Sequence, residues 1–259
     1  MTSGYLLLPS GGLRYHSRAV VGKRRWAPFV ERLARWLRED WAPAPGRPLL
    51  LVGSSAGWCL PLAELAALGF SRVVAADLDP LALWLLRRRL RAVAPTLPYA
   101  SVVVDALGVT DDPPGAGLAR LLDTHGRAGP GDAGPAHVLF CNVWGQQIFQ
   151  IDDDRAFPRF VATLPALLAG WSWASFFDRL SGPMPPRVDD GNERSTHSLP
   201  DDALLACFYA GAHTPPTRIE LVDHGTEQVF VDRPRVHLHW HLRHGQHHLV
   251  EAVCSQRDA

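Results

Sequence analysis

The chain has 259 residues, 47% of them hydrophobic and 20% charged, so it is long and apolar enough to bury one sizeable core. Its 26 basic and 26 acidic residues cancel, which gives no electrostatic reason to expect nucleic acid or an anionic membrane surface as a partner. No run of about 18 apolar residues and no N-terminal signal pattern occurs. The four cysteines are widely spaced in apolar contexts, so we expect a soluble cytoplasmic protein with reduced thiols.

The first 47 residues are predicted to form an appendage made of a hairpin and a helix. Two short extended pieces in residues 5–20 surround Ser10, Gly11 and Gly12, which is typical of a hairpin. The apolar residues of segment 26–41 recur at helical spacing, with charged residues opposite. We therefore expect an amphipathic helix that lies on the rest of the protein. The whole segment is a candidate lid.

Residues 48–259 are predicted to form one α/β domain. Apolar strand-like runs alternate with helical patterns, which favours a mostly parallel, doubly wound, Rossmann-like sheet covered on both faces. The predicted strands are residues 49–52, 73–76, 101–104, 137–141 and 173–177. The predicted helices between and after them are residues 60–68, 81–93, 117–124, 156–169 and 201–210.

The C-terminal part departs from this alternation. Three β-like pieces follow the last helix, at residues 218–223, 236–243 and 248–254. A short turn containing Gly245 separates the last two pieces, so they are predicted to pair as an antiparallel hairpin.

The turn after the first predicted strand consists of small residues. Gly53 and Gly57 flank Ser54, Ser55 and Ala56. In a doubly wound sheet, ligands bind beyond the carboxyl ends of the strands, where this turn lies. The N–H groups of the following helix are expected to point at the same place.

Two carboxylates follow the next two strands. Asp77 ends the second strand, where it can accept both hydroxyl hydrogens of a ribose, and Asp105 follows the third. With the small-residue turn, these positions predict a cradle for a nucleotide-like cofactor. A nicotinamide dinucleotide is disfavoured, because the G-x-G-x-x-G spacing is not met.

These residues resemble the signature of the class I S-adenosylmethionine-dependent methyltransferases. The turn from Gly53 to Gly57 matches the outer glycines of the family's G-x-G-x-G turn, Asp77-Leu78-Asp79-Pro80 matches its D-x-D-P element, and Asp105-Ala106 matches the acid after the third strand. The family's sheet also ends in an antiparallel hairpin. The resemblance covers roughly residues 48–254 and implies methyl transfer from S-adenosylmethionine.

The resemblance also implies roles for single residues. The turn would pass under the methionine part of the cofactor, Asp77 would hold the ribose, Leu78 would pack on the adenine, and Asp105 with Ala106 would face the amino edge of the base. Asn142, after the fourth strand, occupies a position that often contacts cofactor or substrate. The implied cofactor-binding residues are Gly53, Ser54, Ser55, Gly57, Asp77, Leu78, Asp105, Ala106 and Asn142.

Two departures from the family pattern leave alternatives open. The family usually carries an acid two positions before the first glycine, where this chain has Leu51, and the middle glycine is Ser55. The chain is then a methyltransferase, a transferase or lyase that uses another part of an adenosyl cofactor, or a non-catalytic interaction module with this fold.

The candidate catalytic bases are Tyr15, His16 and Asp178, and the acceptor is expected to be a small molecule or a peptide. Neither the acceptor nor the oligomeric state follows from the sequence. His237, His239 and His241 alternate along one predicted strand, so they share a face of the sheet with metal-compatible geometry. We assign no metal there, because the hairpin is expected to lie away from the crevice, with Leu238 and Trp240 on its buried face.

Overall fold

The computed structural model describes residues 12–149, 151, 153–188, 193–209 and 221–255. Nine strands form one sheet, with helices packed on both of its faces. The α-helices are α1 (Gly12–Trp36), α2 (Leu62–Ala67), α3 (Pro80–Val93), α4 (Ala116–Leu121), α5 (Ala156–Leu167) and α6 (Asp201–Tyr209). The strands are β1 (Leu49–Val52), β2 (Val73–Asp77), β3 (Tyr99–Val103), β4 (His137–Cys141), β5 (Ser172–Gly182), β6 (Arg194–Ser195), β7 (Val222–Asp223), β8 (Arg235–Arg243) and β9 (Gln246–Cys254).

The strand order is β3-β2-β1-β4-β5-β9-β8-β6, with β7 paired to β5 outside this path. The first five strands run parallel, and β9 and β8 add an antiparallel hairpin beside β5. Strands β1, β2 and β4 are buried along their whole length, as expected for apolar strands covered on both faces. The predicted doubly wound sheet and its C-terminal hairpin are confirmed.

The N-terminal hairpin prediction was wrong for the residues that the structure describes. Residues 12–20 form the first turns of α1, and residues 5–11 lie outside the described residues. The apolar stripe that predicted a helix from residue 26 extends back to the fully buried Ala19, so the same face packs from the beginning of the helix. A π-helical segment, Leu37–Trp41, continues α1.

Helix α1 packs in the main core. Trp26, Phe29 and Leu33 belong to the same buried cluster as side chains of β1 and β8, and the ring of Phe29 stacks on Trp240 at 5.2 Å between centroids. The boundary predicted at residue 47 therefore separates two segments that share one core. None of the helices in the described part of the chain combines the length and the apolar character needed to cross a bilayer.

Strand β5 is longer than predicted and is irregular. It continues beyond residue 177 to Gly182, and its pairing with β9 shifts between Asp178 and Leu180, so that Arg179 forms a bulge. A bulge changes which side chains share a face of the sheet. The extension also gives β7 a partner, since Leu180 pairs with Asp223.

Candidate functional site

A crevice of about 160 Å³ lies at the carboxyl ends of the parallel strands. The segments that follow β1, β2, β3 and β4 all contribute to its wall, as the doubly wound topology requires. The first turns of α1 close another side. Its wall includes Tyr15, His16, Gly53, Ser55, Asp77, Leu78, Asp105, Ala106, Val143 and Gln146.

The turn after β1 is built from left-handed backbone. Gly53 has φ +68° and Gly57 has φ +63°, and Ser55 and Ala56 between them also have positive φ. A Cβ on Gly53 would lie 2.0 Å from Cγ1 of Val143, so this glycine is needed for packing as well as for conformation. Close packing against protein side chains therefore accounts for the small residue at this position, whereas the sequence predicted the close approach of a ligand.

Two residues of this turn, Ser54 and Gly57, do not line the crevice. Ser54 is fully buried, and its hydroxyl has no hydrogen-bond partner among the described residues. A Cβ on Gly57 would meet Leu86 of α3 at 2.8 Å. Helix α2 begins only at Leu62 and contributes nothing to the wall, so the expectation that its N–H groups face the crevice was wrong.

Asp77 joins the turn to the end of β2. Its Oδ2 accepts a hydrogen bond from the Ser55 N–H at 3.0 Å, and its Oδ1 accepts one from the Asp79 N–H at 3.0 Å. Burial raises the pKa of Asp77, and these N–H donors oppose that effect. Each carboxylate oxygen can accept more than one hydrogen bond, so the group can still receive hydroxyl donors from the crevice.

Asp105 organises the loop after β3 in the same way. Its Oδ1 accepts from the N–H groups of Leu107 and Gly108, both at 3.2 Å. Ala106 and Leu78 also line the crevice, and Leu78 has 39% of its surface exposed. The crevice thus combines two carboxylates with an apolar rim, which suits a ribose and a flat base.

Tyr15 and His16 bring α1 to the crevice. The Nε1–H of Trp58 donates to Nδ1 of His16 at 3.0 Å, so Nε2 carries the proton and lies 3.3 Å from Oδ2 of Asp79. This arrangement leaves His16 no ring nitrogen to accept a proton. Burial, with Cys59 and the carboxylates of Asp77 and Asp178 contributing, raises the pKa of Tyr15 well above its usual value, so its phenol stays protonated.

Asn142 and Asp178 join the end of β4 to the middle of β5. Asn142 Nδ2 donates to Oδ2 of Asp178 at 2.8 Å, and the Asp178 N–H donates to Oδ1 of Asn142 at 2.9 Å. Neither residue lines the crevice, although Val143 next in the chain does. Burial acts to raise the pKa of Asp178, but His248, His224 and Asn142 together hold it at about 2.

The partners of Asp178 were not predicted from the sequence. His248 Nδ1 lies 3.0 Å from its Oδ1, and the ring of His224 lies 5.8 Å from that of His248. His248 follows the alternating histidines of β8 in the sequence, and His224 stands between a predicted strand and Gly225. Those positions gave no signal that pairing across β5, β7 and β9 would bring the three side chains together.

The alternating histidines of β8 contact other side chains of the protein. His239 Nε2 lies 2.9 Å from Nδ1 of His247, and His241 stacks on His247 at 4.2 Å. His237 is buried and contacts the Ser195 hydroxyl at 3.1 Å. Leu238 and Trp240 are buried, as predicted. Among the described residues, the only group of three potential metal ligands is Asp178, His224 and His248.

The structure brings most of the predicted cofactor residues to one crevice. Six of the nine line it, and three do not. Those in the wall are Gly53, Ser55, Asp77, Leu78, Asp105 and Ala106. Those that do not line it are Ser54, Gly57 and Asn142.

Among known proteins, similarity to this chain is found only in solved structures. No protein-family model and no curated protein matches the chain. A proposed S-adenosyl-L-methionine-dependent methyltransferase from Methanococcus maripaludis is similar at 13% identity and a TM-score of 0.39, over 64% of this chain and 62% of that one. A methyltransferase from Aquifex aeolicus has 10% identity and a TM-score of 0.38, over 64% and 73% of the two chains.

The plantazolicin methyltransferase BpumL, solved in complex with SAH, has 11% identity and a TM-score of 0.35, over 63% of this chain and 51% of that one. The similarity therefore spans less than two thirds of the first and third of these structures. At such low scores it assigns no function. The strand order and the crevice of this chain itself have the arrangement that the sequence resemblance implies.

Proposed function

We propose that the chain is an S-adenosylmethionine-dependent methyltransferase. One observation carries this proposal: Asp77 and Asp105, at the ends of the adjacent strands β2 and β3, share a crevice with the turn after β1. The sheet around them has the order β3-β2-β1-β4-β5 and then an antiparallel hairpin, where a dinucleotide-binding sheet would continue with a parallel strand.

The wall residues fit the parts of this cofactor. Asp77 would accept the ribose hydroxyls, Leu78 would cover one face of the adenine, and Asp105 with Ala106 would meet its amino edge. Gly53 and Ser55 would lie under the methionine part. When bound, the cofactor supplies an electrophilic methyl group on a sulfonium, so the protein chiefly has to orient the acceptor and exclude water.

The methionine end of the cradle differs from the family pattern. Leu51, at the position where the family carries an acid, is only 2% exposed and belongs to the core. Its side chain cannot receive an ammonium group. This difference favours a second candidate function, in which another part of an adenosyl cofactor is transferred. Mass spectrometry of the reaction product would distinguish a methylated acceptor from an aminopropyl or adenosyl adduct.

Tyr15 and His16 are proposed to act as a lid. The crevice is small, about 160 Å³, and Tyr15 and His16 in the first turns of α1 form part of its wall, so a movement of these turns would widen it for the cofactor. The contacts of His16 with Trp58 and Asp79 would hold the closed position. Tyr15 then serves as a hydrogen-bond donor toward the acceptor, because its phenol remains protonated.

The acceptor is proposed to be a small molecule or a peptide. The formal net charge of zero gives no basis for a nucleic-acid substrate. Asp178 is the third predicted base, but it does not line the crevice, and a carboxylate with a pKa of about 2 is a weak base. Cys59 and Cys141 are buried thiols, which suits the reducing cytoplasm that we propose as the location.

Calorimetric titration with S-adenosylmethionine and S-adenosylhomocysteine tests the proposal. We expect Asp77→Asn to bind both ligands about 10- to 100-fold more weakly, because hydrogen bonds to a charged group contribute about 1.5–3 kcal/mol. Asp123→Asn, an exposed carboxylate that pairs with Arg127, is the matched control and should bind as the wild type does.

Because Asp77 also holds two N–H groups, circular dichroism has to show that the variant is folded. A folded wild-type protein that binds neither ligand would contradict the proposal. Tight binding without methylation of any acceptor, together with a stable protein partner, would favour the non-catalytic interaction module.

A further inference from the structure

Three buried side chains converge where the second half of β5 pairs with the first half of β9. Asp178, His224 and His248 each offer a ligand atom, and these atoms all lie within 4.8 Å of one another. Each of the three residues is about 5% exposed. They come from different elements: β5, the residue after β7, and β9.

The bulge at Arg179 creates this cluster. In a regular strand Asp178 and Ser181 would face opposite sides, but the extra residue places them on the same side. His248 pairs with Ser181 across the β5–β9 ladder, and His224 follows the β7 residue that pairs with Leu180. The irregularity in β5 therefore has a specific result, which is to bring one carboxylate and two imidazoles together.

Asp178 and His248 face each other in a close contact that falls outside regular hydrogen-bond geometry. Oδ1 of Asp178 and Nδ1 of His248 are 3.0 Å apart, yet neither has a hydrogen-bond partner of acceptable geometry in the described part of the chain. Nε2 of His248 is also buried without one. Buried polar atoms are nearly always hydrogen-bonded, so their convergence without such bonds points to a missing common partner.

The atoms on the far side of the cluster are held in place. Oδ2 of Asp178 receives the amide of Asn142 at 2.8 Å. Nδ1 of His224 lies 3.0 Å from the carbonyl oxygen of Gly145, which can only accept, so Nδ1 carries the proton. The lone pair of Nε2 then faces inward, toward the Ser181 hydroxyl at 2.9 Å. A ligating histidine typically donates its other N–H to a backbone carbonyl in this way.

We propose that Asp178, His224 and His248 bind a divalent transition-metal ion. Two imidazoles and one carboxylate suit Zn²⁺, Fe²⁺ or Co²⁺, whereas Mg²⁺ and Ca²⁺ prefer sites made of oxygen ligands. Three protein ligands leave at least one coordination position for water or a substrate atom.

The site adjoins the crevice without belonging to it. Gly145 contacts Asp178 and His224, and a Cβ at this position would come within 3.1–3.3 Å of them. The next residue, Gln146, lines the crevice. A bound ion would therefore stand next to the part of the crevice wall that Gln146 forms. Metal binding is nevertheless independent of methyl transfer and can be measured without the cofactor.

The competing explanation is an ion pair between Asp178 and a protonated His248. An ion pair would stabilise the junction of β5 and β9 and would need no metal. The two explanations differ in three measurable respects: stoichiometric metal binding, the spectrum of a bound Co²⁺ ion, and the effect of replacing His224.

The test uses the full chain, purified without a polyhistidine tag and stripped with a chelator. Calorimetry should give one Zn²⁺ per chain and no heat with Mg²⁺, and Co²⁺ should give visible absorption bands typical of a protein-bound site. Removal of an outer-shell partner costs about 10- to 100-fold in metal affinity, so His224→Gln and His248→Gln should each lose at least about 100-fold. His247→Gln, on the hairpin beside them, is the matched control.

Two outcomes would overturn the proposal. The first is a folded wild-type protein that binds no Zn²⁺ or Co²⁺. The second is binding that disappears in His247→Gln and persists in His224→Gln, which would assign the ion to the hairpin surface. If a ligand variant fails to fold, the wild-type protein decides: Zn²⁺ should raise its thermal midpoint, and the Co²⁺ spectrum should show nitrogen and oxygen ligation.

Discussion

Gly53→Ala should destabilise the protein through two separate effects. The backbone at this position has φ +68°, a left-handed conformation that costs a residue with a Cβ about 1–2 kcal/mol. The new methyl group would also lie 2.0 Å from Cγ1 of Val143. Carbon atoms pack at about 3.5–4.0 Å, so the two segments have to separate by roughly 1.5 Å. Such overpacking costs about 1–3 kcal/mol, and we expect a total loss of about 2–5 kcal/mol.

A double-mutant cycle with Val143→Ala separates the two effects. Removing the Val143 methyl groups should relieve the steric part, so the cycle should show a coupling of about 1–3 kcal/mol, while the backbone part of about 1–2 kcal/mol remains. The assay is urea unfolding of the four proteins, with the free energy of unfolding extrapolated to water.

The reasoning is refuted if Gly53→Ala unfolds within about 0.5 kcal/mol of the wild type, or if the two substitutions are additive. The first result would mean that the turn is free to adopt another conformation. Additivity would mean that Val143 does not determine the position of Gly53. Either result would leave ligand approach as the reason for the glycine.

Two further predictions concern buried charge. Arg235 and Glu251 form a hydrogen-bonded ion pair with fully buried side chains, so Glu251→Leu should cost about 3–5 kcal/mol by leaving the guanidinium uncompensated. Arg235→Met in the same chain should recover part of that loss in urea unfolding; a double variant no more stable than Glu251→Leu would contradict this. Burial lowers the pKa of His137 to about 4 from 6.5. The folded state therefore binds its proton less readily than the unfolded state, so His137 costs stability as the pH falls from about 6.5 to 4. When the pH is lowered from 7 to 4, the free energy of unfolding should decrease by up to about 3 kcal/mol less in His137→Gln than in the wild type. Equal decreases in the two proteins would refute the assignment.

Much of the fold could be predicted because it is encoded in local patterns. Strands β1 and β4 begin and end at the predicted residues, since continuous apolar runs between polar turns have few other stable conformations. The positions of Asp77 and Asp105 followed for the same reason, because parallel strands bring their carboxyl ends to one edge of the sheet. The pattern was misleading at residues 12–20, because Gly11, Gly12 and the short apolar runs on either side of them suggested a hairpin, whereas Ala19 extends the buried face of α1.

The sequence by itself determined the alternating elements, the C-terminal hairpin and the order of small and acidic residues that forms the crevice. Only the tertiary structure decided which of those residues face it, and Ser54, Gly57 and Asn142 do not line it. It also decided the grouping of Asp178, His224 and His248, which depends on a one-residue bulge in β5 and on the register of two partner strands. Register depends on how two whole strands pack against each other, so the pattern of one segment alone does not predict it.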